Sequence, residues 1–297
     1  MNIALLFNPS SGNGSRAAAV DRIVASLRQD GHRVTSLCVG NAGGEGPDAR
    51  RLLGASDLLI IAGGDGTVSL ALPMVIEAGV PIRHVPLGTE NLFARHFGMR
   101  ADPGSVRAAV ERREIVTIDT AEVDGRPFVI MFSAGPDANV VHRLAAQRRG
   151  GISHLSYVGP IIREALLGGV VPISLEVDGH VLFENRRGMA VVGNMAQYAM
   201  GANPARRASP TDGELDVVFF PSPISLAAGF WLAACKVGAD RIAPGVVRGR
   251  GRHVVIVSEH PGFCSQADGE ALPGAGGSPR SQTREIRIRP SSLRVLR

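Results

Sequence analysis

At 297 residues and 44% hydrophobic content the chain can fill two cores of ordinary size, and its net charge of +5 rests almost wholly on arginine, Lys236 being the single lysine. Three widely spaced cysteines, Cys38, Cys235 and Cys264, form no CxxC pair, which argues against a disulfide scaffold and fits reduced thiols in a cytoplasmic protein. No basic stretch precedes the first apolar run, and the longest apolar stretch, Ile224 to Cys235, is too short to cross a bilayer, so neither a signal peptide nor a transmembrane helix is expected.

Asn2 to Phe7 reads as a first strand, followed by the polar glycine loop Asn8 to Ser15 and a helix from about Arg16 to Asp30, stopped by Gly31. His32 to Val39 reads as a second strand, Ala42 to Pro47 as a loop and Asp48 to Leu53 as a short helix. Leu58 to Ile61 is an apolar run with the length of a buried parallel strand, and Val68 to Ala78 an apolar helix. Ile82 to Leu87 gives a fourth strand, with helices expected up to Phe97 and over Asp102 to Arg112. This alternation predicts a doubly wound parallel sheet, whose ligands bind beyond the carboxyl ends of the strands.

The pattern changes near Ile115. Ile115–Val123 and Pro127–Phe132 flank Asp124-Gly125, and Ile173–Val177 and Val181–Phe183 flank Asp178-Gly179, two hairpin signatures. Further strands are expected at Met189–Gly193, Leu215–Phe220, His253–Val257 and Phe263–Ala267, with helices around His154–Leu167 and Ile224–Val237. Two short alternating pieces, Glu285–Arg289 and Leu293–Leu296, close the chain after a Gly/Pro/Ser-rich stretch. The fold class expected is α/β: an N-terminal doubly wound nucleotide domain, residues 1–116 with 284–297, and a mainly antiparallel β-sandwich domain, residues 117–283.

The chemistry concentrates at Gly63-Gly64-Asp65-Gly66-Thr67, between the buried strand and its helix. Glycines remove the Cβ atoms that keep a phosphate away from the backbone, and a helix start offers N–H donors and a partial positive charge. Asp65 is an anion and suits such a place if a divalent cation lies between it and the phosphate. The plainer alternative is a Gly-rich turn with an Asp helix cap.

Five motifs follow one another: Asn8-Pro9-Ser10-Ser11-Gly12, Gly63-Gly64-Asp65-Gly66-Thr67, Pro86-Leu87-Gly88-Thr89, Asp212-Gly213-Glu214-Leu215-Asp216 and Asp268-Gly269-Glu270. Their order and spacing resemble the diacylglycerol kinase catalytic-domain family, which includes soluble bacterial lipid kinases, sphingosine kinases and ceramide kinases. The resemblance spans almost the whole chain. It implies an ATP- and Mg²⁺-dependent kinase of a lipid hydroxyl, diacylglycerol-like or sphingoid, with its site in the cleft between a nucleotide domain and a β-rich domain.

Carried over residue by residue, the resemblance puts Asn8, Pro9, Ser10, Ser11 and Gly12 at the nucleotide, with Gly63, Gly64, Asp65, Gly66, Thr67, Val68 and Ser69 around the phosphates and Thr89 nearby. It gives the catalytic roles to Asp65 and to Asp268 and Glu270, the glutamate as base. It assigns a metal to Asp212 with the carbonyls of Ser209 and Glu214, and ties Asp119 to the metal and water network. The chain departs from the family pattern at Leu92 and Leu70, which stand where acids are common, and at Gly40-Asn41, where a threonine often touches the nucleotide.

The resemblance also implies a protein that visits a membrane surface from the cytoplasm. The basic pairs His142-Arg143, Arg148-Arg149, Arg186-Arg187 and Arg206-Arg207 and the run Arg248 to Arg252 are candidates for that contact, or else a solvated surface. No nucleic-acid-binding module is visible, and a homodimer is an open expectation. NAD kinase is the other enzyme reading, because its related fold also carries Gly-Gly-Asp-Gly-Thr. A nucleotide-binding protein without catalysis is the third.

Overall fold

A computed structural model describes residues 1–8, 15–38, 47–147, 158–274 and 282–297. The chain divides into two compact units: residues 1–118 with 291–297, and most of 119–290.

The first unit is a parallel sheet of β1 (Asn2–Phe7), β2 (Arg33–Cys38), β3 (Leu58–Gly63) and β4 (Ile82–Pro86), in the order β2-β1-β3-β4. β1, β3 and β4 are almost wholly buried because helices cover such a sheet on its faces, and β1 and β3 are apolar apart from Asn2 while β4 buries Arg83 and His84. These helices are α1 (Ser15–Gln29), α2 (Pro47–Gly54), α3 (Asp65–Ala78), α4 (Leu92–His96) and α5 (Pro103–Arg112). Gly31, at φ +80°, stops the chain after α1, and Asp102 caps α5 by accepting from the Ser105 N–H at 2.8 Å. The sequence order reverses between β1 and β3, so the carboxyl ends of these two neighbours form a topological switch point. The last strand, β15 (Gln282–Leu296), reaches this sheet at Val295, parallel to Ile82.

The second unit is antiparallel. Its strands are β5 (Ile115–Val123), β6 (Arg126–Phe128), β7 (Met131–Ala134), β8 (Pro172–Val177), β9 (His180–Gly193), β10 (Leu215–Pro221), β11 (Val247–Gly251), β12 (His253–Ser258), β13 (Ser265–Ala267) and β14 (Glu270–Ala271), with the first half of β15 on β12. β9 joins two sheets: its first half pairs with β8, its second with β7 and β10. Phe128, Phe132, Phe183, Val192, Phe219 and Ile256 belong to the core enclosed by the sandwich. Among the described residues the unit's α-helices are α6 (Pro136–Gln147), α7 (Val158–Leu167) and α8 (Ser225–Val237).

Several expected elements change. The second arm of the first hairpin breaks into β6 and β7, because the backbone N–H groups of Val129, Ile130 and Met131 turn to the Asp268 carboxylate. Val181–Phe183 and Met189–Gly193 are one strand, β9, whose polar middle pairs Ile173 with Arg186 and Pro172 with Arg187. The two tail pieces are likewise one strand. β11 and α6 are additional elements. The expected helix from His154 begins within the described residues at Val158, and Pro9–Gly12, Gly40-Asn41 and Arg148-Arg149 lie outside them.

Candidate functional site

Asn8 leaves the end of β1 beside β3, its N–H donating to the Ala62 carbonyl at 3.2 Å and its amide approaching the Thr67 hydroxyl at 3.5 Å. The glycine turn is therefore at the switch point. Gly64 is the cap of α3 and provides no side chain to its first turn. A Cβ on Gly88 would lie 2.5 Å from the Gly64 Cα, and one on Gly64 would lie 3.1 Å from the Gly88 Cα. Two loops thus meet backbone to backbone, and only glycine permits that approach. Thr67 and Val68 are buried, so α3 is anchored in the core directly behind the turn.

Asp65 has a definite local task. Its carboxylate accepts the N–H groups of Leu92 at 2.9 Å and Phe93 at 3.0 Å, the opening donors of α4. It is a helix cap, but for a helix one strand further on. Asn91, at φ +49°, closes the same loop by accepting the Gly88 N–H at 2.8 Å and donating to the Gly88 carbonyl at 3.0 Å. Glu90 pairs with Arg95 at 3.2 Å. Leu92 is buried with Phe93 and Ala94, so the position where the family often has an acid serves packing here.

His84 supports the turn from below. Its Nε2 donates to the Gly63 carbonyl at 2.9 Å, and burial holds the imidazole below its ordinary value, hence neutral. Nothing in its sequence context marks it, since a lone histidine without metal-ligand spacing reads as a core or surface residue.

In the second unit, Asp268 and Gly269 have φ values of +50° and +83° and join β13 to β14 with Ala267 opposite Glu270. Asp124-Gly125 and Asp178-Gly179 have the same pair of positive φ values. All three aspartates also brace a neighbouring segment. Asp268, buried, accepts from Val129 at 2.8 Å, Ile130 at 2.8 Å and Met131 at 3.0 Å. Glu270 is partly buried on the second arm of its turn. Behind it, Gln266 accepts the Gly269 N–H at 2.8 Å and donates to the Ser133 hydroxyl at 2.6 Å. Ser133 and Tyr198 in turn donate to Asp137, whose carboxyl burial pushes above the usual range. This polar chain from Tyr198 to Gly269 had no motif to announce it.

Of the residues assigned to the metal, Ser209, Asp212 and Glu214 lie in the loop before β10, and Asp119 lies on β5 against it. Asp119 accepts the Gly213 N–H at 2.8 Å, and its own N–H donates to the Pro210 carbonyl at 2.6 Å. Asp212 accepts the Glu214 N–H at 3.1 Å, and the Ser209 hydroxyl lies 3.2 Å from that of Thr211. The charge facing these acids is Arg250 on β11: it pairs with Asp212, with Glu214 at 3.0 Å and with Asp216 at 3.7 Å. Burial raises the Asp216 carboxyl against the pull of Arg250. No group of three or more His, Cys, Asp or Glu arranged to hold a metal occurs among the described residues. The Asp212 carboxylate is engaged by the Arg250 guanidinium, which serves as its counter-charge.

The comparisons with known proteins agree with this architecture. Residues 2–123 match the diacylglycerol kinase catalytic domain, and residues 130–297 match the YegS C-terminal NAD kinase beta sandwich-like domain. A diacylglycerol kinase of Mycobacterium tuberculosis is 28% identical, over 99% of this chain and 94% of its own length. A probable lipid kinase YegS-like of Pseudomonas aeruginosa is 26% identical, over 99% and 93%. The crystal structure of a putative diacylglycerol kinase from Bacillus anthracis superposes with a TM-score of 0.75 at 20% identity, covering 99% of this chain and 94% of that one. With both of its halves matched, the chain belongs to the diacylglycerol kinase catalytic-domain family and is a lipid kinase.

Proposed function

We propose that the chain transfers the γ-phosphate of ATP to the hydroxyl of a diacylglycerol-like or sphingoid lipid at a membrane surface. The observation that carries this reading is the backbone-lined surface where Gly64 meets Gly88, at the β1/β3 switch point and the start of α3. Such a surface suits the phosphates of a nucleotide, which need N–H donors and close approach more than side chains. Relatives that are diacylglycerol kinases support a glycerolipid acceptor.

In this reading the lipid hydroxyl attacks the γ-phosphorus, the bond to the β-phosphate oxygen breaks and ADP leaves. Glu270 accepts the hydroxyl proton, a contribution of about 10²–10⁴-fold for a well-placed base. Asp268 holds the turn that carries Glu270, and Asp65 holds the loop that presents Gly88. A magnesium ion bound with the triphosphate would neutralise part of its charge. Asp65 and Asp119 would hold it through water.

A panel of acceptors with γ-labelled ATP tests the reading: diacylglycerol, sphingosine, ceramide, phosphatidylglycerol and NAD. Label in diacylglycerol or a sphingoid base is the result expected. Label in NAD alone would replace the reading with NAD kinase, and label in nothing would leave a binding protein.

A further inference from the structure

Two neighbouring helices of the second unit are inside out. On α8 the inward positions are Ser225, Ala228, Trp231, Ala234 and Cys235, mostly small, whereas Leu226, Phe230 and Val237 lie along one exposed stripe with Ala233. On α7 the inward residues are Pro160 and Glu164, the latter 2% exposed, while Ile161, Ile162, Leu166 and Leu167 face solvent. Ordinary surface helices do the reverse. Leu166 is 77% exposed and Phe230 66%.

This orientation is built in. The Glu164 carboxylate accepts from Asn139 at 2.8 Å, from Arg143 at 3.0 Å and from the Ser225 hydroxyl at 3.0 Å, tying α6, α7 and α8 together. Trp231 is fixed by its indole N–H on the Pro221 carbonyl at 2.7 Å and by stacking on Phe220. Turning either helix to hide its apolar residues would break these bonds.

Among the described residues of these two helices and the turn after α8, the exposed charges have one sign. Arg163, Lys236 and Arg241 are exposed; the acids of the same segments, Glu164 and Asp240, are buried and paired with Arg143 and Arg248. Two copies packed through this face would bring like charges together, whereas an anionic lipid surface matches both the apolar stripe and its cationic rim. The arginine runs singled out in the sequence are largely spent elsewhere: Arg143 on Glu164, Arg248 on Asp240, Arg250 on the Asp212 loop, and Arg186 over the rings of Phe183 and Phe219.

We propose that the exposed faces of α7 and α8 dock the protein on anionic bilayers, Leu166, Leu167, Phe230 and Val237 entering the interface while Arg163 and Lys236 meet the headgroups. The choice of a bilayer as occupant draws on the lipid-kinase reading; the surface itself does not.

The full chain is floated with vesicles of phosphatidylcholine alone or with phosphatidylglycerol, as wild type, as Leu166→Ser/Phe230→Ser and as Arg163→Glu/Lys236→Glu. Wild type should bind the anionic vesicles, and each double variant should lose about tenfold or more in affinity, with an unchanged melting temperature because every substituted side chain is exposed. Phosphorylation of a short-chain diacylglycerol dispersed as monomers is measured in parallel and should be the same in all three proteins. Equal vesicle binding by all three overturns the docking surface. So does a wild-type dimer in sedimentation velocity that Leu166→Ser/Phe230→Ser dissolves, since the occupant would then be a second copy. Loss of vesicle binding in the variants, in a protein that phosphorylates no lipid, would keep the surface and defeat the kinase reading instead.

Discussion

The backbone N–H of Leu92 donates to the Asp65 carboxylate at 2.9 Å across 27 residues of sequence, and Phe93 adds a second bond at 3.0 Å. The acid of the glycine turn is thus the fastener of the next loop, the one that carries Gly88 and Thr89. Asp65→Ala removes both acceptors at a helix start and is expected to cost about 1–2 kcal/mol in denaturant unfolding, with Asp65→Asn costing less because one oxygen remains.

Asp268 and Glu270 should separate cleanly. Asp268 satisfies three buried N–H groups, so Asp268→Ala is expected to lose roughly 2–4 kcal/mol of stability, and activity with it. Glu270→Gln is expected to leave the unfolding midpoint in place and lower kcat about 10²–10⁴-fold. Equal stability losses in the two variants would place Glu270 in the scaffold and remove it as a base.

How much of this was legible follows from particular residues. The parallel sheet announced itself because β1 and β3 are short apolar runs each followed by a polar turn, and the hairpins because Asp-Gly favours two positive φ values in succession. β11 did not, because Arg248-Gly-Arg250-Gly reads as a basic loop. It is a strand whose glycines face in: a Cβ on Gly249 would lie 2.7 Å from Leu182, and one on Gly251 2.5 Å from Val177. The cross-strand pair Asp216 and Arg250 could not be read without that register. Likewise the order of motifs named Asp65 and Asp268, and the family resemblance Asp119, while the N–H groups they hold, far off in sequence, appear only in three dimensions.

Arg250 gives a prediction about metal. Wild-type stability should be insensitive to EDTA, because the cation facing Asp212, Glu214 and Asp216 is part of the chain. Arg250→Gln leaves three acids facing one another and is expected to cost about 1–2 kcal/mol, a figure kept low because the guanidinium is half exposed and screened. Added Mg²⁺ or Ca²⁺ should restore part of that loss in the variant and nothing in the wild type. A melting temperature that falls with EDTA in the wild type would contradict this.

His84 makes stability depend on pH. Its folded-state value lies below the ordinary 6.5, so the unfolded chain takes up a proton that the folded chain refuses. Stability contributed by the neutral ring is full above about pH 6.5 and is lost as the pH falls towards the depressed value. His84→Gln keeps a donor for the Gly63 carbonyl without the titration. Its melting temperature should therefore change less than that of the wild type between about pH 7 and pH 5.

The claim on which the account turns is that ATP is gripped by backbone where Gly64 meets Gly88. Gly64 has φ −98° and ψ −176°, a conformation open to any residue, so Gly64→Ala tests the close approach without backbone strain. Calorimetric titration with ATP and Mg²⁺ should show binding in wild type and Glu270→Gln alike, weakened about tenfold or more in Gly64→Ala with the fold intact. Equal ATP affinity in wild type and Gly64→Ala, or no binding by the wild type, would contradict it.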